Sequence, residues 1–206
     1  MVCGEPRDDR QRLYVFAFTP FAVLQINKKC KMGTRKPLLK TYIVSWYGPF
    51  HSIEEMKEWQ SQQDIDFCLY LIQGKKPYSK ICSYYCGQTT RPIPDRLNDR
   101  NHHINEIPNR RSIWIGAFEN RYSKQDIDIA ENMFIDLLWG QFGAQCLNRQ
   151  SLYFQEHDFD VLFICKWHNP KLYRQPECSI RLVLPEVIVY FADTDEIKVA
   201  KKLRSL

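Results

Sequence analysis

The chain is 206 residues long and 44% hydrophobic, with a formal charge of +5 and a sequence pI near 8.7. That is enough apolar material for a sizeable core, in one domain or one domain plus a small module, and the positive balance suits a polyanionic partner. No run approaches the ~18 consecutive apolar residues of a membrane span, no apolar signal-peptide core follows Met1-Val2-Cys3-Gly4-Glu5-Pro6-Arg7, and eight cysteines in a chain of this size read as reduced thiols rather than a disulfide framework, so a soluble, cytoplasmic protein is expected.

Residues 12–26, interrupted by Thr19, Pro20 and Gln25, and residues 39–46 read as strands. Ser52 is an N-cap type placed before Ile53-Glu54-Glu55-Met56-Lys57-Glu58-Trp59, whose spacing is helical. Together these make a small αβ extension over residues 1–63. Phe67-Cys68-Leu69-Tyr70-Leu71-Ile72 is an apolar strand, Gln73-Gly74-Lys75-Lys76-Pro77 a turn, and Ile81-Cys82-Ser83-Tyr84-Tyr85-Cys86-Gly87 a second strand, which is the pattern of a hairpin. The proline of Ile93-Pro94-Asp95-Arg96-Leu97 suits the first turn of a helix.

Ser112-Ile113-Trp114-Ile115-Gly116-Ala117-Phe118 has strand length, and Ser123-Lys124-Gln125-Asp126 is a capping box opening a helix with Ile127, Ala130, Phe134, Leu137 and Leu138 on its apolar face. Glu131 stands among them, and a carboxylate in an apolar row calls for a partner or a role. Beyond Asn148, residues 160–167 and 186–191 read as strands and 195–203 as a final helix, a β-rich extension over residues 151–206. With no repeat and no low-complexity linker, the flanks are expected to pack on the middle of the chain as one compact unit.

The middle segment, residues 64–150, resembles the GIY-YIG nuclease domain. The resemblance rests on Cys68-Leu69-Tyr70, Tyr85-Cys86-Gly87, Arg96, Glu131 and Asn148, in that order over two strands and two helices. The first triplet keeps the tyrosine but carries Cys68 where the family has glycine, and the two tyrosines stand fifteen positions apart, which lengthens the hairpin loop. Where the family has a histidine or tyrosine four residues after its arginine, this chain has Arg100, with His102 and His103 following within a turn.

The resemblance implies an α+β fold with a small, mixed or antiparallel three-stranded sheet and flanking helices. The extra N- and C-terminal strands and helix would pack on that core. It also implies an endonuclease with Glu131 holding one Mg²⁺, for which Mn²⁺ substitutes, and Asn148 closing the domain. Tyr70 would be the general base on the attacking water, and Tyr85 would position water or phosphate.

The residue types suit that chemistry. Hydrolysis of a phosphodiester needs an activated water in line with the leaving oxygen and stabilisation of charge on phosphorus. Arg96 brings a permanent charge with forked donors, and a single carboxylate leaves most of a hard cation's coordination open to water and substrate. Gly87 lets backbone approach closely, Gln88 and Thr89 offer hydrogen bonds to phosphate, and Lys80, Arg100, His102 and His103 are further substrate-binding candidates.

Basic residues concentrate at Lys28-Lys29-Cys30-Lys31 with Arg35, Lys36 and Lys40, and again from Arg91 to Arg111. DNA is the expected partner, RNA remains open, and a homodimer would place two sites on two strands. Cys82 and Cys86 with His102 and His103 are a weaker zinc set, buried strand cysteines being the commoner outcome. Trp46, Tyr47, Trp167, His168 and Tyr173 would make either core or a stacking platform for bases. The competing readings are a decayed nucleic-acid-binding module and a nuclease toxin held by a partner.

Overall fold

The computed structural model describes residues 38–63, 65, 68–118, 122–173, 180 and 184–200. In chain order these form β1 (Leu39–Phe50), α1 (Ile53–Gln60), β2 (Cys68–Lys75), β3 (Ser83–Thr89), α2 (Ile93–Leu97), a 3₁₀ turn (His103–Glu106), β4 (Asn109–Phe118), α3 (Lys124–Phe142), a second 3₁₀ turn (Gly143–Gln145), β5 (Asp160–Trp167), α4 (Pro170–Tyr173), β6 (Val187–Phe191) and β7 (Glu196–Ala200). The expected strand at 12–26 and the basic cluster at 28–36 lie outside the described residues. No helix among the described residues is long and apolar enough to cross a membrane.

The fold is α+β, but the sheet is not a small three-stranded one. Seven strands run in the order β3-β2-β4-β1-β5-β6-β7. The expected three, β3-β2-β4, are antiparallel and occupy one end of it. The sheet then continues through β1, which pairs antiparallel with β4 and parallel with β5 over eight residues, Leu39↔Asp160 to Trp46↔Trp167. Strands from both flanking segments are thus hydrogen-bonded into the same sheet as the middle of the chain.

Alternation along the strands divides the core between the two faces, because successive side chains point to opposite sides. On one face Tyr42, Val44 and Trp46 of β1, Leu69 and Leu71 of β2 and Trp114 of β4 meet Ile127, Ala130, Phe134, Leu137 and Leu138 of α3. The other face carries Cys68, Tyr70 and Ile72 of β2 with Ile113 and Ile115 of β4, covered by Met56 of α1, Ile93 and Leu97 of α2, and Ile104. Helix α3 starts at the expected capping box, where the Ser123 hydroxyl accepts the Asp126 amide and the Asp126 carboxylate accepts the Ser123 amide. Tyr42 Oη donates to the same carboxylate at 2.8 Å, tying the helix start to the sheet.

One expectation needs correction here, and one pair of alternatives is decided in favour of the core. Residues 196–200 are a strand, not a helix: Ile197 and Val199 alternate with exposed neighbours and pair with β6, and Asp195 turns the chain at φ 50°. The aromatic platform does not exist as one surface. Trp46 is fully buried, stacked on Trp167 at 5.6 Å and edge-on to Phe134. Tyr47, the next residue, faces the other way and stacks on His168 at 4.1 Å.

Candidate active site

Two cross-strand neighbours form the floor of the site. Tyr70 on β2 lies directly opposite Gly87 on β3, and a Cβ at Gly87 would come within 2.5 Å of Tyr70 Cζ. Only a residue without a side chain lets the phenol lie across the neighbouring backbone. Tyr85, two residues earlier on β3 and so on the same face, brings its ring centroid to 6.1 Å from that of Tyr70. Tyr70 is fully buried and Tyr85 half-buried.

Tyr70 Oη lies 3.0 Å from His102 Nε2. The other ring nitrogen, Nδ1, accepts the Ile104 amide at 3.0 Å as the cap of the 3₁₀ turn. A neutral imidazole that accepts at Nδ1 carries its proton on Nε2, so His102 donates to the Tyr70 oxygen. Burial, then the neighbouring Arg96 charge, pushes His102 down from 6.5 to about 4, which keeps this tautomer through the neutral range.

Arg96, in α2, brings a positive charge that acts on the Tyr70 oxygen. Burial raises Tyr70, Tyr85 raises it further, and Arg96 pulls in the other direction, leaving the phenol well above its ordinary value of 10.0. Tyr85 is also raised, first by burial, then by Cys86 and Glu131, with Arg96 and a hydrogen bond to Tyr70 opposing. Glu131 is therefore electrostatically coupled to this cluster although α3 packs on the opposite face of the sheet. Strand β3 is the sheet edge at this end.

Glu131 Oε2 accepts Gln88 Nε2 at 2.7 Å, and the same amide nitrogen also donates to Asp128 Oδ1, one turn earlier on α3. Burial raises the Glu131 carboxyl, and the Gln88 amide opposes that rise. Two hard carboxylate oxygens thus converge on one electropositive group, a donor set that fits Mg²⁺ or Mn²⁺ better than a soft metal. Among the described residues no group of three or more His, Cys, Asp or Glu stands together as a ready-made metal cage. Cys82 instead accepts from Gln73 Nε2 at 3.5 Å, Cys86 is buried on the α3 face away from His102, and the five described cysteines are free.

Asn148 does not touch the tyrosines. Its Oδ1 accepts the Cys86 amide at 3.0 Å and its Nδ2 donates to the Cys86 carbonyl at 2.8 Å, completing the hydrogen bonding of the edge strand between the two tyrosine-face residues Tyr85 and Gly87. Thr89 is buried, and its hydroxyl is occupied by Arg91, accepting the amide at 3.0 Å and donating to the carbonyl at 3.1 Å. Lys80 lies exposed in the hairpin loop, where its carbonyl accepts from Lys75 Nζ at 2.7 Å. His103 stacks near Tyr85 at 4.8 Å while its Nδ1 pairs with Glu106 at 2.6 Å, and Arg100 is exposed and outside the cluster.

The residue brought to Tyr70 is therefore His102, from the three that the sequence left open. Sequence reasoning passed over two carboxylates, Asp128, which shares Gln88 with Glu131, and Asp99, which joins Arg96 to Arg91, the latter noted only as the start of the basic stretch 91–111. Asp128 could have been noticed as a carboxylate three positions before Glu131 and so on the same helix face; Arg91 and Asp99 carried no periodic signal. No protein-family model, curated protein or solved structure matches this chain.

Proposed function

We propose that the chain is a metal-dependent endonuclease of the GIY-YIG kind that hydrolyses phosphodiester bonds of DNA. The single observation that carries this reading is the buried Tyr70 oxygen, which accepts His102 Nε2–H opposite Gly87 and beside Tyr85, with the positive charge of Arg96 acting on it. Burial disfavours the Tyr70 phenolate, and the Arg96 charge and the His102 N–H work against that penalty.

In this reading the Tyr70 phenolate takes the proton of the attacking water, with the His102 donor and the Arg96 charge offsetting part of the cost of burying it. Tyr85, the more exposed of the pair, orients that water or a phosphate oxygen. Arg96 neutralises charge developing on the phosphate, and by comparison with other preorganised donors its replacement by alanine costs about 10²-fold in rate or more. Glu131, with Asp128 beside it, would hold a divalent cation, which when bound supplies charge neutralisation at the scissile phosphate and leaving oxygen. Gln88 holds the Glu131 carboxylate in place from its free side. One site per chain suits a nick, or a double-strand cut by two copies.

The test is cleavage of supercoiled plasmid by the wild type and Glu131→Ala side by side, with Mg²⁺, Mn²⁺ or EDTA. Metal-dependent cleavage that the substitution abolishes is expected. A folded wild type that shifts DNA on a gel yet cleaves neither DNA nor RNA would replace this reading with that of a binding module.

A further inference from the structure

Arg91 Nη2 and Arg96 Nη1 each donate to the same atom, Asp99 Oδ2, both at 2.7 Å. The two guanidiniums reach it from different segments, the exit of β3 and the last turn of α2. The buried Thr89 hydroxyl fixes the Arg91 backbone by both its amide and its carbonyl, while the Arg91 side chain is 54% exposed and Arg96 is electrostatically coupled to Tyr70. One carboxylate between two arginines leaves a unit of positive charge uncompensated, and it gives both forks a single shared oxygen. Asp99 is partly open to solvent, with 35% of its side chain exposed, so ion pairing of this kind holds it only weakly.

We propose that Arg91 and Arg96 form a clamp for one substrate phosphate, with Asp99 as its resident placeholder, which the phosphate displaces. This rests on the nucleic-acid reading of the site and adds a binding residue, Arg91, to it. A phosphodiester carries the same single charge as Asp99, and its two non-bridging oxygens spread at a tetrahedral angle, whereas both guanidiniums here share the one Oδ2 of Asp99. Each guanidinium therefore gains an oxygen of its own in place of a shared one, the arrangement for which arginine's planar fork is suited. Because Arg96 also reaches Tyr70, the clamped phosphate sits against the phenol that activates water. Thr89 acts one step removed, as the residue that positions Arg91.

The experiment is fluorescence anisotropy with a labelled mixed-sequence DNA duplex in EDTA, so that no cleavage occurs, over a series of NaCl concentrations. The proteins are the wild type, Arg91→Gln, Asp99→Asn, and Glu196→Gln, which changes charge by the same amount at β7, beyond the far end of the sheet order. Arg91→Gln is expected to weaken binding and to reduce the log-log salt slope by about 0.9, the loss of one phosphate contact. Asp99→Asn is expected to tighten binding by more than Glu196→Gln does.

An Arg91→Gln protein with wild-type affinity and slope, or an Asp99→Asn protein that binds more weakly, overturns the clamp. So does a wild type that binds no duplex. Plasmid cleavage separates the two readings: Arg91-dependent binding without cleavage keeps the clamp and removes the catalysis, while cleavage with Arg91-independent binding does the reverse.

Discussion

His102 sets the sign of one pH effect and Tyr70 that of another. The histidine titrates at about 4 when folded against 6.5 ordinarily, so between those values the unfolded chain binds more protons. Its contribution to stability, up to about 3 kcal/mol, is complete above pH 6.5 and is lost as pH falls towards 4. Protonating the ring also removes the acceptor of the Ile104 amide. His102→Asn keeps an acceptor for that amide but does not reach Tyr70, so urea midpoints measured from about pH 7 down to about 4.5 should fall less steeply than in the wild type. Equal slopes would show that another group governs the acid limb.

Under the proposed mechanism the active form of Tyr70 is the phenolate, and burial holds the phenol above its ordinary range. The cleavage rate should therefore climb about tenfold per pH unit through neutrality, and Tyr70→Phe should cost about 10²-fold and flatten the slope. A Tyr70→Phe protein with the wild-type profile would take the base role away from this residue.

At the scale of elements, the edge strand β3 depends on a side chain for part of its hydrogen bonding. Beside it Leu147 donates to the Tyr84 carbonyl at 2.7 Å, and the Asn148 amide engages both backbone groups of Cys86. Asn148→Ala leaves a buried N–H and C=O without partners and should cost about 2 kcal/mol or more, with faster hydrogen exchange at the Cys86 amide. Asn148→Asp should do no better at neutral pH, since a carboxylate can accept from Cys86 but has nothing to donate. An Asp variant as stable as the wild type would mean the Nδ2 bond is worth little.

The β2–β3 hairpin and the start of α3 were legible in the sequence because turn chemistry, apolar runs and the Ser123/Asp126 box are local. The C-terminal strand was misread for the same reason. Asp195 has the chemistry of a helix cap, and a strand of five residues is too short for its alternation to outweigh that signal.

At the scale of the whole molecule, β1 is the seam between the β3-β2-β4 end of the sheet and the C-terminal strands. It gives its hydrogen bonds to β4 on one side and to β5 on the other, and Trp46 stacks on Trp167 from β5 while meeting Phe134 of α3 edge-on. Removing everything after residue 150 would strip β1 of its parallel partner and expose Tyr42, Trp46 and Phe134, which pack in the same core cluster as Val161, Phe163, Ile188 and Tyr190. The truncated chain is expected to lose cooperative thermal unfolding, followed by circular dichroism. A sharp transition near the wild-type midpoint would show that residues 38–150 fold alone.

The sequence by itself determined most of the local elements and the place of the candidate residues on them: Tyr70 and Tyr85 on a hairpin, Arg96 in a short helix, Glu131 on a capped one. Their spacing and types are recorded in contiguous stretches of chain. Only the tertiary structure decided that His102 rather than Arg100 meets Tyr70, that Asp99 gathers two arginines, that Gln88 joins Glu131 to Asp128, and that seven strands share one sheet. Those outcomes depend on which distant segments pack together, the β1–β5 pairing above all, and a parallel pairing between remote strands leaves no local pattern from which it could be read.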